Sequence, residues 1–364
     1  MSITLKPLER IIRTFNFQDT DVVATGEIIQ NSALISHFAG RRVNNDWTLE
    51  ELADTYRGLE IDLGMLMAPA AVPGVENRNG IKYQVTYWSE WVVERPFKDV
   101  KGLREYLKQM IQAVKKSDPR VIWSYAGPGG IVGQDSTDYK SYFHNLKRTV
   151  SPTIPCHIES PVGLDVIYNI AGWELFSYLL MDDPGLISET FEALNKHEEN
   201  RIHLIAKPEI SPVVIVYCDI ASNHDVILSP VYLKEEFVPR LKRLVDAWHE
   251  HDIKVIFHSE GNLKKVMEDL VSCGIDGINP LEPNNVSLEY VRKNFPDLVL
   301  WGGIDDKQLL CFGTPQQVEE SVKNAIEICR GGGLILGSSG QIHPETSAEN
   351  AVALFRAAKR YGTF

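Results

Sequence analysis

Six ionisable side chains stand at the ends of short apolar runs in the second half of the chain. They are Asp219, His258, Glu260, Glu282, Asp305 and His343. Imidazole and carboxylate groups transfer protons near neutral pH and bind divalent metals. If the fold brings the ends of these runs together, their residue types predict acid–base or metal-assisted chemistry at one site.

The apolar runs predict buried strands, and the amphipathic stretches between them predict helices. The strands are expected at 121–127, 153–159, 213–219, 254–258, 277–280, 298–303 and 334–338. Short apolar strands that alternate with helices are typical of a parallel sheet covered on both faces. About eight such units over this length favour a closed barrel over an open sheet.

The sequence therefore predicts an α/β fold, a (β/α)8 TIM barrel, in a single domain over residues 1–364. Residues 1–75 are expected to form an N-terminal helical extension and residues 76–364 the barrel. TIM barrels carry their active sites at the C-terminal ends of the strands. The six ionisable residues follow those ends, whereas the opposite ends carry ordinary surface residues such as Lys254 and Asp297.

Each of these residues also has a purely structural interpretation. In the stretch HSEGN (258–262), Asn262 suits a helix N-cap and Gly261 suits a tight turn. Asp305 suits the N-cap of a short helix, and Asp219 suits an ion pair with a neighbouring strand. These interpretations do not require a histidine at the end of the apolar strand KVIFH. The gathering of all six at one end of the barrel favours an active site.

Composition excludes several classes of partner. The formal net charge of −12 makes a polyanion such as nucleic acid an unfavourable ligand. No apolar run approaches the roughly 20 residues that span a bilayer, and MSITLKPLERIIRTF lacks the apolar core of a signal peptide. The five cysteines are widely spaced without a C-x-x-C, which favours reduced thiols. A cytoplasmic protein is expected, and a homodimer stays open.

Three long stretches carry a family resemblance. HSEGNLKKVMEDLVSCGIDGINPLEP, LWGGIDDKQLLCFGTPQQVEESV and GGGLILGSSGQIHPETSAENAVALFRAAKRYG resemble the uroporphyrinogen decarboxylase superfamily. The motifs T-x-x-E-N (346–350) and G-T-P-x-x-V (313–318) are hallmarks of the superfamily as a whole. Its members are haem-pathway decarboxylases or corrinoid-dependent methyltransferases, and the resemblance independently implies the TIM barrel.

The basic residues distinguish the two branches. Decarboxylases of this family hold their anionic tetrapyrrole with arginines of an early R-Q-A-G-R motif. Here no Arg or Lys occurs between Arg13 and Arg41, and AGRR (39–42) arrives late without the preceding arginine. Substrate carboxylates would then be buried without partners, which is costly. The resemblance therefore favours the methyltransferase branch, with a decarboxylase as the alternative.

The methyltransferase branch implies a zinc site of the pattern H-x-C, with a later acid and a cysteine near the last strand. His258 matches the histidine, Glu260 replaces the first cysteine, and Glu282 stands near the position of the acid. The last cysteine falls on Ser339 or Gly340, with His343 just beyond. The resemblance thus implies a divalent metal, zinc or a harder ion, held by nitrogen and oxygen ligands.

A hard metal site suits an oxygen-bound methyl group. With this ligand set, the resemblance implies O-demethylation of an aryl methyl ether such as guaiacol, with the methyl group passing to Co(I) of a corrinoid. The chain has no D-x-H-x-x-G motif, so cobalamin is expected on a separate corrinoid protein. Asp219, Asp305 and His343 are the predicted catalytic residues.

Four residues are predicted to bind this substrate: Trp123, Tyr125, His157 and Asn279. The aromatic segment YQVTYWSEWVV (83–93) is a further candidate wall for a flat ring, although core packing explains such aromatics equally well. Two other classes stay open. One is a barrel that binds a ligand without chemistry, and the other is a metal-dependent hydrolase, whose H-x-H motif is missing before residue 100.

Overall fold

The structure, a computed structural model, describes residues 4–65, 72–87, 89–124, 127–128 and 139–363. Its strands are β1 (Ala24–Ile28), β2 (Leu63–Met65), β3 (Gly74–Arg78), β4 (Ile81–Val85), β5 (Glu90–Glu94), β6 (Trp123–Ser124), β7 (Gly127–Pro128), β8 (Ile154–Pro155), β9 (His157–Pro161), β10 (Val213–Tyr217), β11 (Lys254–His258), β12 (Gly277–Leu281), β13 (Val299–Ile304) and β14 (Leu334–Ser338).

Fifteen α-helices occur in the described ranges, with one π-helical turn at Leu233–Phe237. They are α1 (Pro7–Phe15), α2 (Ser32–Ala39), α3 (Leu49–Leu59), α4 (Val100–Lys116), α5 (Tyr139–Val150), α6 (Leu164–Ala171), α7 (Trp173–Asp182), α8 (Pro184–Ile205), α9 (Pro230–Tyr232), α10 (Val238–His249), α11 (Met267–Ser272), α12 (Leu288–Asn294), α13 (Leu309–Phe312), α14 (Pro315–Ile328) and α15 (Ala348–Tyr361). Within those ranges, none is both long and apolar enough to cross a membrane.

The main sheet is parallel and closes on itself. Its order is β8-β2-β1-β14-β13-β12-β11-β10-β9, and β8 and β9 are separated in the chain only by Cys156. Ile154 of β8 pairs with Leu63, while His157 of β9 pairs with Val214. Counting β8 and β9 as one segment turns nine strands into eight. This arrangement confirms the predicted TIM barrel.

The beginning of the barrel differs from the prediction. Strands β1 and β2 belong to the barrel sheet, so residues 1–75 are not a helical extension outside it. The sequence of β1, ATGEI, lacks an apolar run because Gly26 packs against the Trp301 ring. A Cβ added at Gly26 would lie 2.8 Å from that ring, so the close packing requires glycine here.

The predicted strand at 121–127 is also absent from the barrel. Trp123–Ser124 instead pairs antiparallel with Gly127–Pro128 in a separate two-stranded sheet. The segment between β2 and α4 contains the antiparallel sheet β3-β4-β5. Both small sheets are inserted between β2 and β8, and therefore between two neighbouring strands of the barrel.

Alternation along the barrel strands separates two layers of core. Ile215 and Tyr217 of β10 pack inside the barrel with Trp301, whereas Val214 and Val216 pack in the outer cluster with the helices. At the N-terminal end of the barrel, Ile11 and Phe15 of α1 join the inner cluster. Helix α1 therefore covers the N-terminal end of the barrel. The opposite end, where the strands finish, is the one at which an active site is expected.

Candidate active site

His258 ends strand β11, and its ring is held by the neighbouring strand. Nδ1 of His258 lies 2.7 Å from Oδ1 of Asn279, the residue that pairs with it across β12. Asn279 Nδ2 donates to the carbonyl of Trp301 at 3.3 Å, so its oxygen is the atom that faces the ring. An amide oxygen only accepts, so Nδ1 carries the proton and Nε2 is the basic nitrogen of the neutral ring.

Asn279 was predicted to bind the substrate, but the structure buries its side chain. It is 2% exposed, so little of it is open to a substrate. Its side chain bridges His258 and the Trp301 carbonyl instead. A partner that fixes the second nitrogen of a histidine is the usual companion of a histidine that binds a metal or transfers a proton.

Asp219 and Glu260 lie together beside this histidine. The backbone N–H of Glu260 donates to Asp219 Oδ1 at 3.0 Å. Burial raises the pKa of Glu260, and the carboxylates of Asp219 and Glu282 add to that rise against the opposing effects of Lys307 and His258. The structure thus brings together four of the six predicted residues: Asp219, His258, Glu260 and Glu282.

Glu282 is bound by three donors. Its Oε2 accepts from the Gly261 N–H at 2.8 Å and from Asn285 Nδ2 at 2.9 Å, and its Oε1 accepts from Lys307 Nζ at 2.8 Å. Burial alone would raise the pKa of Glu282, but the bonds from Lys307, Asn285 and Gly261 outweigh it and lower that pKa. Lys307 Nζ also lies 4.0 Å from Glu260 Oε2.

Gly261 explains why HSEGN needs a glycine. Its φ is +94°, and a Cβ added there would lie 2.7 Å from the Ser222 carbonyl oxygen. Only glycine takes this conformation without strain and without moving the Ser222 backbone. The resulting turn points the Gly261 amide at Glu282. The glycine is thus part of the site and does more than end a strand.

Asp305 caps the chain that follows β13, as its structural interpretation expected. Its Oδ1 accepts from the N–H groups of Lys307 at 2.9 Å and Gln308 at 2.7 Å. The buried carboxylate of this exit is the next residue, Asp306, at 4% exposure. Asp306 Oδ1 accepts from the Ser339 hydroxyl at 2.8 Å. The prediction of Asp305 as a catalytic group therefore missed the inward-facing carboxylate by one position.

His343 stands apart from the other predicted metal ligands. Its Nδ1 lies 2.8 Å from Glu345 Oε2, and its Nε2 lies 3.2 Å from the Asp306 carbonyl and 3.6 Å from Cys311 Sγ. Among the residues that the structure describes, no group of three or more His, Cys, Asp or Glu side chains is arranged to hold a metal ion. The four-ligand set expected from the sequence is not assembled.

The cluster nevertheless has features that suit a cation. Glu260 and Glu282 face the ammonium of Lys307, and Asp219 lies beside Glu260. Glu282 is buried, whereas Asp219 and Glu260 are exposed. Carboxylates in excess of positive charge attract a further cation, and Nε2 of His258 offers a nitrogen ligand. The donor set lacks thiolate and suits zinc or a harder divalent ion.

The sequence analysis did not identify two buried acidic residues, Glu27 and Asp165. Burial raises the pKa of Glu27 to about 8, although Ser338 and the Ile28 N–H donate to it. Burial raises the pKa of Asp165 to about 7, and the Asp219 carboxylate adds to the rise. Asp165 Oδ1 has no hydrogen-bond partner among the described residues. The only signal for Glu27 was a charged residue inside the strand ATGEI.

Of the predicted substrate-binding aromatics Trp123 and Tyr125, only Trp123 lies among the described residues, and it packs in the core. Trp123 is 8% exposed in the outer core, and its Nε1 donates to Ser117 Oγ at 3.2 Å. Core packing, the alternative interpretation, therefore accounts for it. Tyr125 lies outside the described residues, as does the side chain of His157.

A comparison with protein families bears on this site. The family model described as uroporphyrinogen decarboxylase (URO-D) matches residues 204–361. The chain contains a URO-D family domain. This URO-D domain supplies Asp219, His258, Glu260, Glu282 and Lys307, whereas Glu27 and Asp165 come from the part of the barrel that precedes it. The resemblance to the superfamily seen in the sequence is confirmed.

Two curated relatives share a shorter stretch. The methylcobamide:CoM methyltransferase MtbA of Methanosarcina acetivorans is 26% identical over 147 residues, which cover 40% of this chain and 42% of that protein. MtbA of Methanosarcina mazei is 25% identical over 147 residues, with the same coverage of 40% and 42%. The matched stretch thus spans less than half the length of these relatives. Both carry the name of a methyltransferase, the branch that the sequence favoured.

A solved structure supports the fold over the full length. A methyltransferase from Methanosarcina mazei superposes with a TM-score of 0.68 at 16% identity, covering 98% of this chain and 99% of the other. At this identity the match establishes a shared fold. Because it extends across nearly the whole chain, the barrel begins before the URO-D domain, in agreement with the placement of β1 and β2.

Proposed function

We propose that this protein is a methyltransferase that moves a methyl group from an aryl methyl ether to the cobalt of a separate corrinoid protein. The URO-D domain and the similarity to two methylcobamide methyltransferases support the reaction class. The observation that carries the proposal is the pairing of His258 with Asn279 beside Asp219, Glu260 and Glu282 at the ends of the barrel strands.

A divalent metal, zinc in the first place, belongs to this proposal. His258 Nε2, Glu260 and Glu282 are the proposed ligands, and His343 is left to its contacts with Glu345 and Asp306. When bound, such an ion supplies a Lewis acid that stabilises negative charge on the donor oxygen. Asn279 fixes the histidine ring, and Asp219 fixes Glu260 through its backbone.

Asp219 is the proposed catalytic acid. Transfer breaks the bond between the methyl carbon and the ether oxygen, leaves the electron pair on that oxygen, and requires a proton to give the phenol. Asp219 Oδ1 is engaged with the Glu260 N–H, which leaves Oδ2 for the donor oxygen or for an adjacent hydroxyl. Catechol-type ethers such as guaiacol carry that second hydroxyl and are the proposed substrates.

The decarboxylase alternative requires unpaired positive charge for a polyanionic tetrapyrrole. The arginines on either side of the missing motif are already engaged. Arg13 pairs with Glu9, and Arg41 pairs with Asp46 and Glu51. Neither pair supplies spare positive charge for substrate carboxylates. The interactions of these arginines therefore favour the methyltransferase proposal.

The test supplies guaiacol, methanol and a methylated amine in turn with reduced cobalamin, and follows methylcobalamin by its absorbance. We expect guaiacol to react and His258→Ala to lower the rate by at least about 100-fold. His203→Ala, which changes an exposed histidine on α8, is the matched control. Reaction of methanol or the amine alone would exclude the aryl ether, and release of CO2 from a tetrapyrrole would favour the decarboxylase.

A further inference from the structure

Tyr168 of α6 donates its hydroxyl to the backbone carbonyl of Asp219 at 2.7 Å. The sequence analysis did not single out this tyrosine, and the comparisons assign it no role. Burial raises the pKa of Tyr168, so its hydroxyl stays protonated and acts as a donor at neutral pH. A side chain from a helix that covers the barrel is therefore bonded directly to the residue proposed as the catalytic acid.

The Tyr168 ring is held by two aromatic side chains of α7. It is buried, stacks on Trp173 with ring centroids 4.3 Å apart at 21°, and meets Phe176 edge to face at 6.3 Å and 76°. Trp173 and Phe176 also contact each other, with centroids 5.8 Å apart. Because the three rings pack against one another, the Tyr168 ring cannot tilt without moving its neighbours. The packing thus fixes the position of the hydroxyl.

The segment around Asp219 is bonded to two separate elements. Oδ1 of Asp219 accepts from the Glu260 N–H at 3.0 Å, and the N–H of the next residue, Ile220, donates to Ser259 Oγ at 3.1 Å. Both of these contacts come from the turn that follows β11. Tyr168 supplies the contact from α6, and it is the one that holds the Asp219 carbonyl.

Helix α6 also lies close to the Asp219 side chain. Asp165 stands one turn before Tyr168, and the Asp219 carboxylate contributes to its raised pKa, after burial as the main cause. A charge has such an effect only on a group in its neighbourhood. The first turn of α6 therefore lies beside the carboxylate, and its second turn bonds the backbone.

We propose that Tyr168 is a positioning residue for methyl transfer, which fixes the Asp219 backbone so that Oδ2 of the carboxyl group meets the donor oxygen. The inference rests on the proposed function, in which Asp219 is the catalytic acid. A displacement of about 1 Å can lower a rate by about 100-fold when it misplaces a reacting group. Loss of the Tyr168 hydroxyl leaves the contact between Glu260 and Oδ1 in place, so we expect a smaller effect.

Tyr56 offers a matched comparison, because a buried tyrosine hydroxyl needs an acceptor in any fold. Its side chain is buried, and its hydroxyl donates to the carbonyls of Glu27 at 3.0 Å and Met65 at 3.1 Å. Both tyrosines thus bond a backbone carbonyl of the barrel, but Tyr168 is the one of the two that bonds Asp219. Tyr56→Phe should lower stability without slowing methyl transfer.

The test measures kcat and KM for guaiacol, with reduced cobalamin as acceptor, in wild type, Tyr168→Phe, Asp219→Asn and the double variant. We expect Tyr168→Phe to lower kcat by roughly 5- to 20-fold and to leave KM within about twofold. Asp219→Asn should lower kcat by at least about 100-fold. In that background Tyr168→Phe should add less than about twofold, because residues that act as a unit are not additive.

Urea unfolding of Tyr168→Phe and Tyr56→Phe verifies that both variants fold and compares the loss of stability in each. A full further loss of kcat in the double variant would overturn the inference, since Tyr168 would then act independently of Asp219. Wild-type kcat in Tyr168→Phe, or an equal loss in Tyr56→Phe, would also overturn it and leave the proposed reaction in place. Absence of methylcobalamin with the wild-type protein would instead overturn the proposed function, and the inference with it.

Discussion

Oδ1 of Asn279 lies 2.7 Å from Nδ1 of His258, and the two residues face each other on adjacent barrel strands. The amide oxygen fixes both the ring orientation and the tautomer, so the basic Nε2 is set by the strand register. A second bond from Asn279 Nδ2 to the Trp301 carbonyl stops the amide from turning over. The orientation of the His258 ring therefore depends on three neighbouring strands.

Asn279→Ala should weaken the site without removing its histidine. We expect zinc affinity and the rate of methyl transfer to fall by roughly 10- to 100-fold, because the His258 ring loses its orienting acceptor. Competition with a chromophoric chelator measures the zinc dissociation constant, and the formation of methylcobalamin measures the rate of methyl transfer. Asn294→Ala, which removes an exposed asparagine bonded to the Tyr290 carbonyl, is the control. Unchanged zinc affinity in Asn279→Ala would contradict an orienting role.

Gly261→Ala should disturb the turn that holds Glu282. The positive φ of +94° and the 2.7 Å approach to the Ser222 oxygen force the backbone to move. We expect a loss of about 2 kcal/mol in the free energy of unfolding, measured with urea, together with weaker zinc binding.

Gly40 offers a matched comparison for Gly261. Its φ is +68°, but a Cβ added there would meet nothing within 4 Å. Gly40→Ala should therefore cost only the backbone strain, about 1 kcal/mol, and leave zinc binding unchanged. Equal losses in the two variants would mean that the contact with Ser222 has no effect of its own.

The strands of the barrel were predictable from most of the apolar runs, with 121–127 as the exception. Strands such as Lys254–His258 and Leu334–Ser338 match their predicted bounds because helices cover their outer faces and side chains fill the barrel inside. Strand β1 was not predicted, because Gly26 makes room for Trp301 and Glu27 is a buried acid. Those two residues break the apolar pattern for reasons that lie on other strands.

The location of the candidate site was easier to predict than the contacts between its side chains. Strand ends located His258, Glu260 and Glu282, because parallel strands bring their C-terminal ends to one rim. Spacing could not decide which of Asp305 and Asp306 faces inward, since this depends on the turn after β13. It also could not reveal Lys307, whose ion pair with Glu282 joins two separate strand exits.

Asp276 gives a prediction for stability against pH at the opposite end of β11. Burial alone would raise its pKa, but the bonds from His249, Lys254 and the Val255 N–H outweigh burial and lower it. A lowered folded pKa means that the stabilisation is present above the unfolded value of about 3.9 and disappears as the pH falls through the folded value.

Asp276→Asn should therefore lower the free energy of unfolding at pH 7 by about 1–3 kcal/mol, with a difference that shrinks as the pH falls below the unfolded value of about 3.9. Urea titrations of both proteins at several pH values measure this. Asp246→Asn, which breaks an exposed pair with Lys242, should change stability by less than about 0.5 kcal/mol. A constant difference between wild type and Asp276→Asn across the pH range would show that ionisation of Asp276 does not contribute.

Asp305 and Asp306 are adjacent but should respond differently to replacement by alanine. Asp305→Ala removes a cap from the N–H groups of Lys307 and Gln308, which costs about 1 kcal/mol. Asp306→Ala leaves the buried Ser339 hydroxyl without its acceptor, which costs about 1–3 kcal/mol. Ser339→Ala should cost less in the Asp306→Ala background than alone, because the bond between the two side chains is already lost and only the bond from the Asp306 N–H to Ser339 Oγ remains. Urea unfolding of the single and double variants gives the coupling energy. Additive losses would show that Asp306 and Ser339 act independently.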